Sequence, residues 1–419
     1  MLIYKYIFKC PNVATLPQFT RKLGLLSVVF FLFPFLFTSC DTFFGKRTNL
    51  DFIQQPEYSI REVSYVPIQP VISGFNQLTD VLTGFDKLIY VVDKGANAVI
   101  AYDEAFVELG RKNIAGATKI MQNRRLDLYV IGYTDTTINT VSYRLSTIYK
   151  LETIQNNGYG LANAAISRKL IYPFACGRNS LKSSDTIVKF TDITPLADGS
   201  YYVTRRGNTS NDVLTGPDDA VLYFSSNDTN VGFLQVVTSN GTEEKFFKSP
   251  LAITSYVQPP QSDRVVADIG FAYLSGNFAD PQKSKVISGV LTEQGPVFAV
   301  EDLNAAAADK EKADGGLYEF NQFIEPSDIA FSGDGTQLFF VTDAAKDSVY
   351  VFTRTGLEGV NPPAGSATKK NIKVSFGGRG EGLLQFNRPT AVAYSKKILI
   401  VADQGNRRIL RFKLTTDFE

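Results

Sequence analysis

The stretch 376-FGGRGEGLLQFNRPTAVAYSKKILIVADQGNRRILRFKL-414 decides how the rest of the chain reads. Its core, 398-ILIVADQGNRRILRF-412, lines up without a gap on 338-LFFVTDAAKDSVYVF-352 and on 88-LIYVVDKGANAVIAY-102. In each copy an apolar strand ends on an aspartate, Asp403, Asp343 or Asp93, and five mostly small or polar residues follow. A second apolar strand then opens at Ile409, Val349 or Val99. β-Branched and aromatic residues suit the strands, and Gly, Ala or Asn in the gap tolerate a tight turn, so each copy reads as a hairpin. The aspartate is placed to accept hydrogen bonds from the N–H groups of its own turn. A carboxylate that recurs at one place in three turns reads as a structural residue rather than a catalytic or metal-binding one. Gly405 and Asn406 belong to the same turn.

Working outward, 326-PSDIAFSGDGTQLFFVTD-343 matches 389-PTAVAYSKKILIVAD-403 with a longer turn, and 190-FTDITPLADGSYYVTR-205 belongs with them. Each is a short strand, a turn and a longer strand. Weaker relatives are 125-RLDLYVIGY-133 with 146-STIYKL-151, then 161-LANAAISRKLIYPFACG-177, and 251-LAITSY-256 with 263-DRVVADIGFAYL-274. These make seven candidate units. A repeat of this kind in an all-β chain is the signature of a β-propeller, whose blades cannot bury both faces alone and so close into a ring. The expectation is six or seven four-stranded blades, with seven favoured by the count. The C-terminal strand leaves its blade short of an outer strand, and 57-EYSIREVSYVPI-68 is the N-terminal segment expected to fill that edge. Residues 301–316, rich in Ala, Lys and Glu and ending in glycines, read as a short surface helix.

The segment 376–412 also resembles an NHL repeat: a Gly-rich lead-in, Gln385-Phe386, Pro389 before an apolar strand, Val401-Ala402-Asp403, then Gly405 to Ile409. The resemblance implies that Gly377, Gly378, Gly380 and Gly382 lie in the loop leading into a blade. A phosphate cradle would need them between a strand and a helix, and no helical pattern follows them. Likewise Arg407, Arg408 and Arg411 fall on a turn and a strand, where they are solvated or paired.

The N-terminus has a different character. In 21-RKLGLLSVVFFLFPFLFTSC-40 two positive charges precede an apolar run that ends in small polar residues and Cys40. The run is short for a bilayer crossing and suits a signal peptide. Its end, 37-FTSC-40, resembles a bacterial lipobox, which implies a diacylated Cys40 as the lipid attachment site. The expected organisation is therefore a lipoprotein signal peptide over 1–39, a flexible tether over 40–60 and an NHL-like propeller over 61–419. Cys10 would leave with the signal and Cys40 would carry lipid, which leaves Cys176 with no disulfide partner.

Composition limits the chemistry. The chain has no histidine, which removes Ser-His-Asp and Cys-His catalysis and the usual zinc and copper ligands. The first 39 residues hold Lys5, Lys9, Arg21 and Lys22 and no acid, so the formal charge of the remainder is +1 − 4 = −3. That balance and the export signal argue against nucleic acid as a partner. The sequence thus predicts an exported, membrane-anchored lipoprotein of the bacterial envelope, on the outer rather than the inner membrane, whose propeller is a scaffold for a protein or glycan. No catalytic, metal or ligand-binding residue stands out, so it reads as not an enzyme and without a cofactor. The alternative is a lactonase-like or hydrolase-like enzyme with a calcium ion held by oxygen ligands in the central channel. The resemblance to propeller enzymes is its source.

Overall fold

The computed structural model describes residues 63–138, 140–156, 158–207, 211–212, 215–259, 268–304, 308–366 and 368–418. The chain divides into two compact units, Met1–Ile60 and Arg61–Glu419. The first lies outside the described residues, and with it the signal peptide, the tether and Cys40.

The second unit is a propeller of six blades. Blade 1 is built from Leu78–Thr83, Ile89–Asp93, Ala98–Tyr102 and Glu108–Asn113. Blade 2 uses Lys119–Gln122, Leu128–Ile138, Val141–Glu152 and Ala165–Ile171, and blade 3 uses Lys189–Pro195, Tyr201–Arg206, Ala220–Phe224 and Asn230–Phe233. Blade 4 runs Pro250–Ser255, Phe271–Ser275, Ser284–Thr292 and Gly295–Val300. Blade 5 runs Pro326–Phe331, Leu338–Asp343, Ser348–Thr353 and Phe376–Gly377. Blade 6 joins Pro389–Ser395, Ile398–Asp403 and Arg408–Leu414 to the N-terminal strand Tyr65–Ser73. Neighbouring inner strands touch all the way round, including the first against the last.

Of the six or seven blades expected, the structure has six. The units around 125–151 and 161–177 are one blade, because Ala165–Ile171 pairs with Val141–Glu152 as its outermost strand. Blade 4 departs from four strands. The hairpin Val236–Thr238 and Gly241–Glu243 adds to its outer edge, with Val236 running parallel to Phe298. The closing N-terminal strand begins later than the sequence suggested: Tyr65 pairs with Leu414 and Ser73 with Arg408, whereas 57–62 lie outside the described residues. In 301–316, Asn304 and Ala308 are helical, on either side of residues that are not described.

Why the ring holds follows from the period of two in each strand. In Ile398–Asp403, Leu399 and Val401 face blade 5, while Ile400 and Ala402 face blade 1. In Ile89–Asp93, Ile89 and Val91 face blade 6, and Tyr90 and Val92 face blade 2. Both faces of a blade are therefore apolar, and the core is six separate clusters, one at each blade interface. Each buried side chain contributes only while its neighbouring blade is present, which is the physical reason for closure.

The pairing also orients the ring. Inner strand Pro389–Ser395 turns into Ile398, and Ile398 pairs with Lys413. Tyr65, opposite Leu414, is thus at the end of the ring where the inner strands finish. The described chain enters the propeller on that face.

Candidate functional site

Five of the six inner strands carry a register shift two residues in, as between Leu78 and Asp80 or Pro326 and Asp328. In blades 1, 3 and 5 the residue after the shift is a carboxylate that lines the central channel. Lys119, which starts the inner strand of blade 2, takes the corresponding place. Around the ring these residues are Asp80, Lys119, Asp192, Ala252, Asp328 and Ala391. Blades 1, 3 and 5 supply carboxylates; blades 2, 4 and 6 supply one lysine and two alanines.

Each carboxylate binds the next blade. Asp80 Oδ2 accepts the backbone N–H of Ile120 at 2.8 Å, Asp192 Oδ2 that of Ile253 at 2.8 Å, and Asp328 Oδ2 that of Val392 at 2.9 Å. The three acceptors follow a pseudo-threefold pattern imposed on six blades. Thr191 and Ser327, each just before its carboxylate, add a second link by donating to the Pro250 and Pro389 carbonyls, and Thr390, just before Ala391, donates to that of Leu78. The Lys119 ammonium donates to Asp328 Oδ1 at 2.6 Å and to Asp80 Oδ1 at 3.2 Å. All four charged residues are buried.

Burial disfavours charge, and the carboxylates repel one another. Burial, opposed by Lys119 and reinforced by Asp328 and Asp192, pushes the Asp80 carboxyl up to about 8. Burial, again opposed by Lys119, pushes Asp192 up to about 6. Burial works against the Lys119 ammonium, but the charges of Asp192, Asp328 and Asp80 outweigh it and hold its pKa well above the ordinary value. Burial thus raises the Asp80 and Asp192 carboxyls, while the surrounding carboxylates keep the lysine charged.

Above the cluster the channel widens toward the ends of the inner strands. It offers about 590 Å³ of free space, counting the open mouth. Thr83, Gln122, Thr194, Thr254 and Gln258 give its wall hydroxyl and amide groups, and Phe85, Phe331 and Tyr394 give it rings. Several wall groups are already oriented: Gln122 donates to Asp86 and accepts from the Phe85 N–H, and Ser255 N–H donates to Thr194 Oγ1.

The turn residues singled out in the sequence stand at the other end of the ring. Asp93 Oδ2 accepts the Asn76 N–H and its Oδ1 the Gln77 N–H, both at 2.8 Å, with Ala96 N–H at 3.3 Å. Asp343 accepts the Ile324 N–H at 2.6 Å and those of Ala345 and Lys346 in its own turn. Asp403 accepts the Asn387 N–H at 2.7 Å, the Asn406 side-chain amide and Arg408 Nε at 2.8 Å each. Each carboxylate thus clamps its turn to the strand that enters the same blade. Gly405 is tight: a Cβ there would stand 2.6 Å from the Asn387 carbonyl oxygen. The structure does not bring these residues to the axial cluster.

The sequence reading missed the axial cluster. A signal was present, in the triplets Thr79-Asp80-Val81, Thr191-Asp192-Ile193 and Ser327-Asp328-Ile329, with Thr118-Lys119-Ile120 as the exception.

A calcium ion in the channel does not fit these residues. Calcium takes six to eight oxygen ligands at about 2.3–2.6 Å. Here an ammonium stands among the carboxylates, and each carboxylate gives its second oxygen to a backbone N–H. Among the described residues no group of three or more His, Cys, Asp or Glu side chains is arranged to hold a metal ion.

No family model matches the chain, and no curated protein does. Solved structures do. A structural-genomics protein of unknown function from Bacteroides thetaiotaomicron matches with a TM-score of 0.45 at 12% identity, over 84% of this chain and 75% of that one. A putative gluconolactonase matches with a TM-score of 0.46 at 9% identity, over 84% of this chain and 92% of that one. Virginiamycin B lyase from Staphylococcus aureus matches with a TM-score of 0.40 at 9% identity, over 84% of this chain and 98% of that one. The expectation that the chain is not an enzyme is corrected here, because several structures it resembles, these two and a luciferin-regenerating enzyme among them, are enzymes by name. At such identities the likeness concerns the fold and establishes no activity for this chain. By its own sheet order, the chain is a six-bladed β-propeller.

Proposed function

We propose that this is a lipid-anchored, NHL-like propeller of the bacterial envelope that binds a carbohydrate in the funnel of its central channel. One observation carries the reading: hydroxyl, amide and aromatic groups share one concave wall over a floor of carboxyls and an ammonium. Sugars present hydroxyls and apolar C–H faces together, which is the chemistry this wall complements. The resemblance of 37-FTSC-40 to a lipobox supports anchorage through Cys40, and an outer-membrane site is the expectation that goes with it. The match of 376–412 to an NHL repeat supports the family assignment.

Calorimetric titration with envelope glycan fragments, peptidoglycan disaccharides and outer-membrane oligosaccharide cores, tests the binding. Phe85→Ala, at the half-buried rim, is expected to weaken binding about tenfold or more, the loss of one ring contact. Absence of binding to every fragment at millimolar concentration sinks the reading. Anchorage is read separately: Cys40→Ala should abolish fatty-acid labelling and release the chain from the membrane fraction.

A second reading is favoured by the acids at about 8 and about 6. Two carboxyls held apart in this way are suited to acid–base chemistry near neutrality, with Asp80 protonated and Asp192 ionised, as in the hydrolysis of a bound ester or glycoside. Product analysis of the bound fragment between pH 5 and 9, against Asp80→Asn, decides it: cleavage by wild type and not by the variant supports hydrolysis.

A further inference from the structure

We propose that a second cavity, between blades 1 and 6, is a binding site for a small amphiphilic anion. The ligand class is an alkyl carboxylate, whose head meets the charges of Arg411 and Lys87 and whose chain lies against isoleucines. The inference goes beyond the carbohydrate reading and does not depend on it.

Thr83 and Ser395, the last residues of two inner strands, both line the cavity, which places it on the face where the inner strands finish. It offers about 390 Å³ of free space, counting its mouth. That lies in the range of small-molecule sites, about 300–1,000 Å³. Among the described residues it shares only Thr83 with the funnel. Blade 1 gives it Ile89 and Lys87, and blade 6 gives it Ile398, Ile400 and Arg411. Ile89 and Ile400 are buried, Ile398 is half-buried and Lys87 is exposed, so the lining turns from apolar to charged toward solvent.

The charge on Arg411 carries the argument. Its side chain is only 7% exposed, yet among the described residues no carboxylate pairs with it. One guanidinium NH2 group donates to the Glu104 carbonyl at 3.1 Å and the other to the Gln69 carbonyl. The Phe106 ring stands 4.7 Å from Cζ, and Nε–H has no acceptor. All of these partners are neutral, and a buried cation without a counter-ion is costly. Glu104, the acid of the lining, is already paired with the Lys396 ammonium. Lys87 has no ion-pair partner among the described residues. The cavity therefore holds two uncompensated positive charges beside three isoleucines. A guanidinium and an ammonium suit a carboxylate head, and isoleucines suit a body that brings no polar group to them. An inorganic anion would leave the apolar wall wet, and a neutral hydrocarbon would leave the charge unmet.

Calorimetric titration of the full chain with sodium octanoate tests the proposal, with octan-1-ol and sodium acetate in parallel. Octanoate should bind at one site that depends on Lys87 and Arg411, with a Kd below about 1 mM. Octanol lacks the charge and acetate the chain, and each should bind at least tenfold more weakly. Lys87→Glu, at an exposed position, should weaken octanoate at least tenfold and leave octanol unchanged. Arg411→Gln keeps amide donors for the carbonyls and removes the charge, and it should have the same effect. Octanoate should also raise the melting temperature of wild type and not that of Arg411→Gln. Octanol binding as tightly as octanoate, or octanoate binding untouched by Lys87→Glu, overturns the proposal, because the charges would then play no part. Acetate binding as tightly as octanoate overturns it too, since the isoleucines would contribute nothing, and so does absence of octanoate binding at 10 mM. If Arg411→Gln fails to fold, Lys87→Glu and the comparison of octanoate with octanol decide by themselves.

Discussion

Blades 5, 6 and 1 and blades 2, 3 and 4 solve one problem in two ways. Every blade must fasten its second strand to the chain segment that enters it. In blades 1, 5 and 6 the last residue of the second strand is Asp93, Asp343 or Asp403, paired with the first residue of the inner strand. The carboxylate accepts N–H groups from both sides. A residue in the left-handed region then ends the turn four positions on, Asn97, Asp347 or Arg407. Two of these reach forward as well, since Asn97 Oδ1 accepts the Gly116 N–H and Asp347 Oδ1 the Arg388 N–H at the entry to the next blade.

In blades 3 and 4 the same place holds Arg205, opposite Phe190, and Ser275, opposite Pro250. Polarity is reversed at Arg205 and mixed at Ser275, whose Oγ also accepts the Asn277 N–H. Arg205 donates to the carbonyls of Thr215, Pro217 and Asp218, and Ser275 Oγ to that of Lys248. An acceptor can hold a short turn whose N–H groups point inward, whereas a long excursion returns carbonyls and requires a donor. Blade 2 lengthens its middle strands instead, pairing Leu128–Ile138 with Val141–Glu152. The lesson is that the short-turn half keeps a local motif because a local geometry demands it. The other half replaces the motif wherever its loops grow.

If the comparison is right, Asp403→Ala has the largest effect. It removes the acceptor of the half-buried Asn387 N–H and one acceptor each of the Asn406 amide and the Arg408 guanidinium, which keep their bonds to the Gly380, Glu381, Gly382 and Gln385 carbonyls, at a cost of about 2–4 kcal/mol in urea unfolding. A loss under about 1 kcal/mol would remove the carboxylate clamp as the basis of the regular arc.

The axial cluster belongs to both halves and sets the pH dependence. The folded Asp80 carboxyl titrates at about 8, above its unfolded value of about 3.9, so the folded state holds a proton the unfolded state releases. Its contribution is complete below pH 4 and is lost as pH rises to about 8. Asp192 acts in the same direction up to about 6. Melting between pH 5 and 9 should show stability falling by about 1 kcal/mol per unit toward pH 8 and levelling beyond it. Asp80→Asn should flatten the upper part of that slope, and an unchanged slope would show that another group is responsible.

Gly405→Ala is next, at about 1–3 kcal/mol, because the new methyl meets the Asn387 carbonyl and side chain. The equivalent position of blade 5 already carries Ala345, which is exposed, so Ala345→Gly should change stability by under about 1 kcal/mol. Ser275→Ala, on the irregular side, should cost about 1 kcal/mol, since its hydroxyl makes only neutral hydrogen bonds, one to the Lys248 carbonyl and one from the Asn277 N–H. Equal losses from Asp403→Ala and Ser275→Ala would erase the distinction between the two arcs.

The hairpins of blades 1, 5 and 6 were legible because their information is local. Strand, aspartate, turn and strand lie within fifteen residues, and three gapless copies exclude coincidence. The blade count was less legible, since 161–177 resembles a unit of its own until its pairing with Val141–Glu152 is seen. The axial cluster was hidden for a different reason. Asp80 and Asp328, both bonded to Lys119, are 39 and 209 residues from it in the chain. Each alone looks like a solvent-facing charge on an alternating strand.

By itself the sequence determined that this chain is an all-β ring of repeated hairpins, because alternation, turn residues and the recurring aspartate are properties of neighbours along the backbone. Tertiary structure alone decided the number of blades and the meeting of three aspartates and a lysine on one axis. Both depend on which strands close the circle, and that choice is made by apolar faces far apart in sequence.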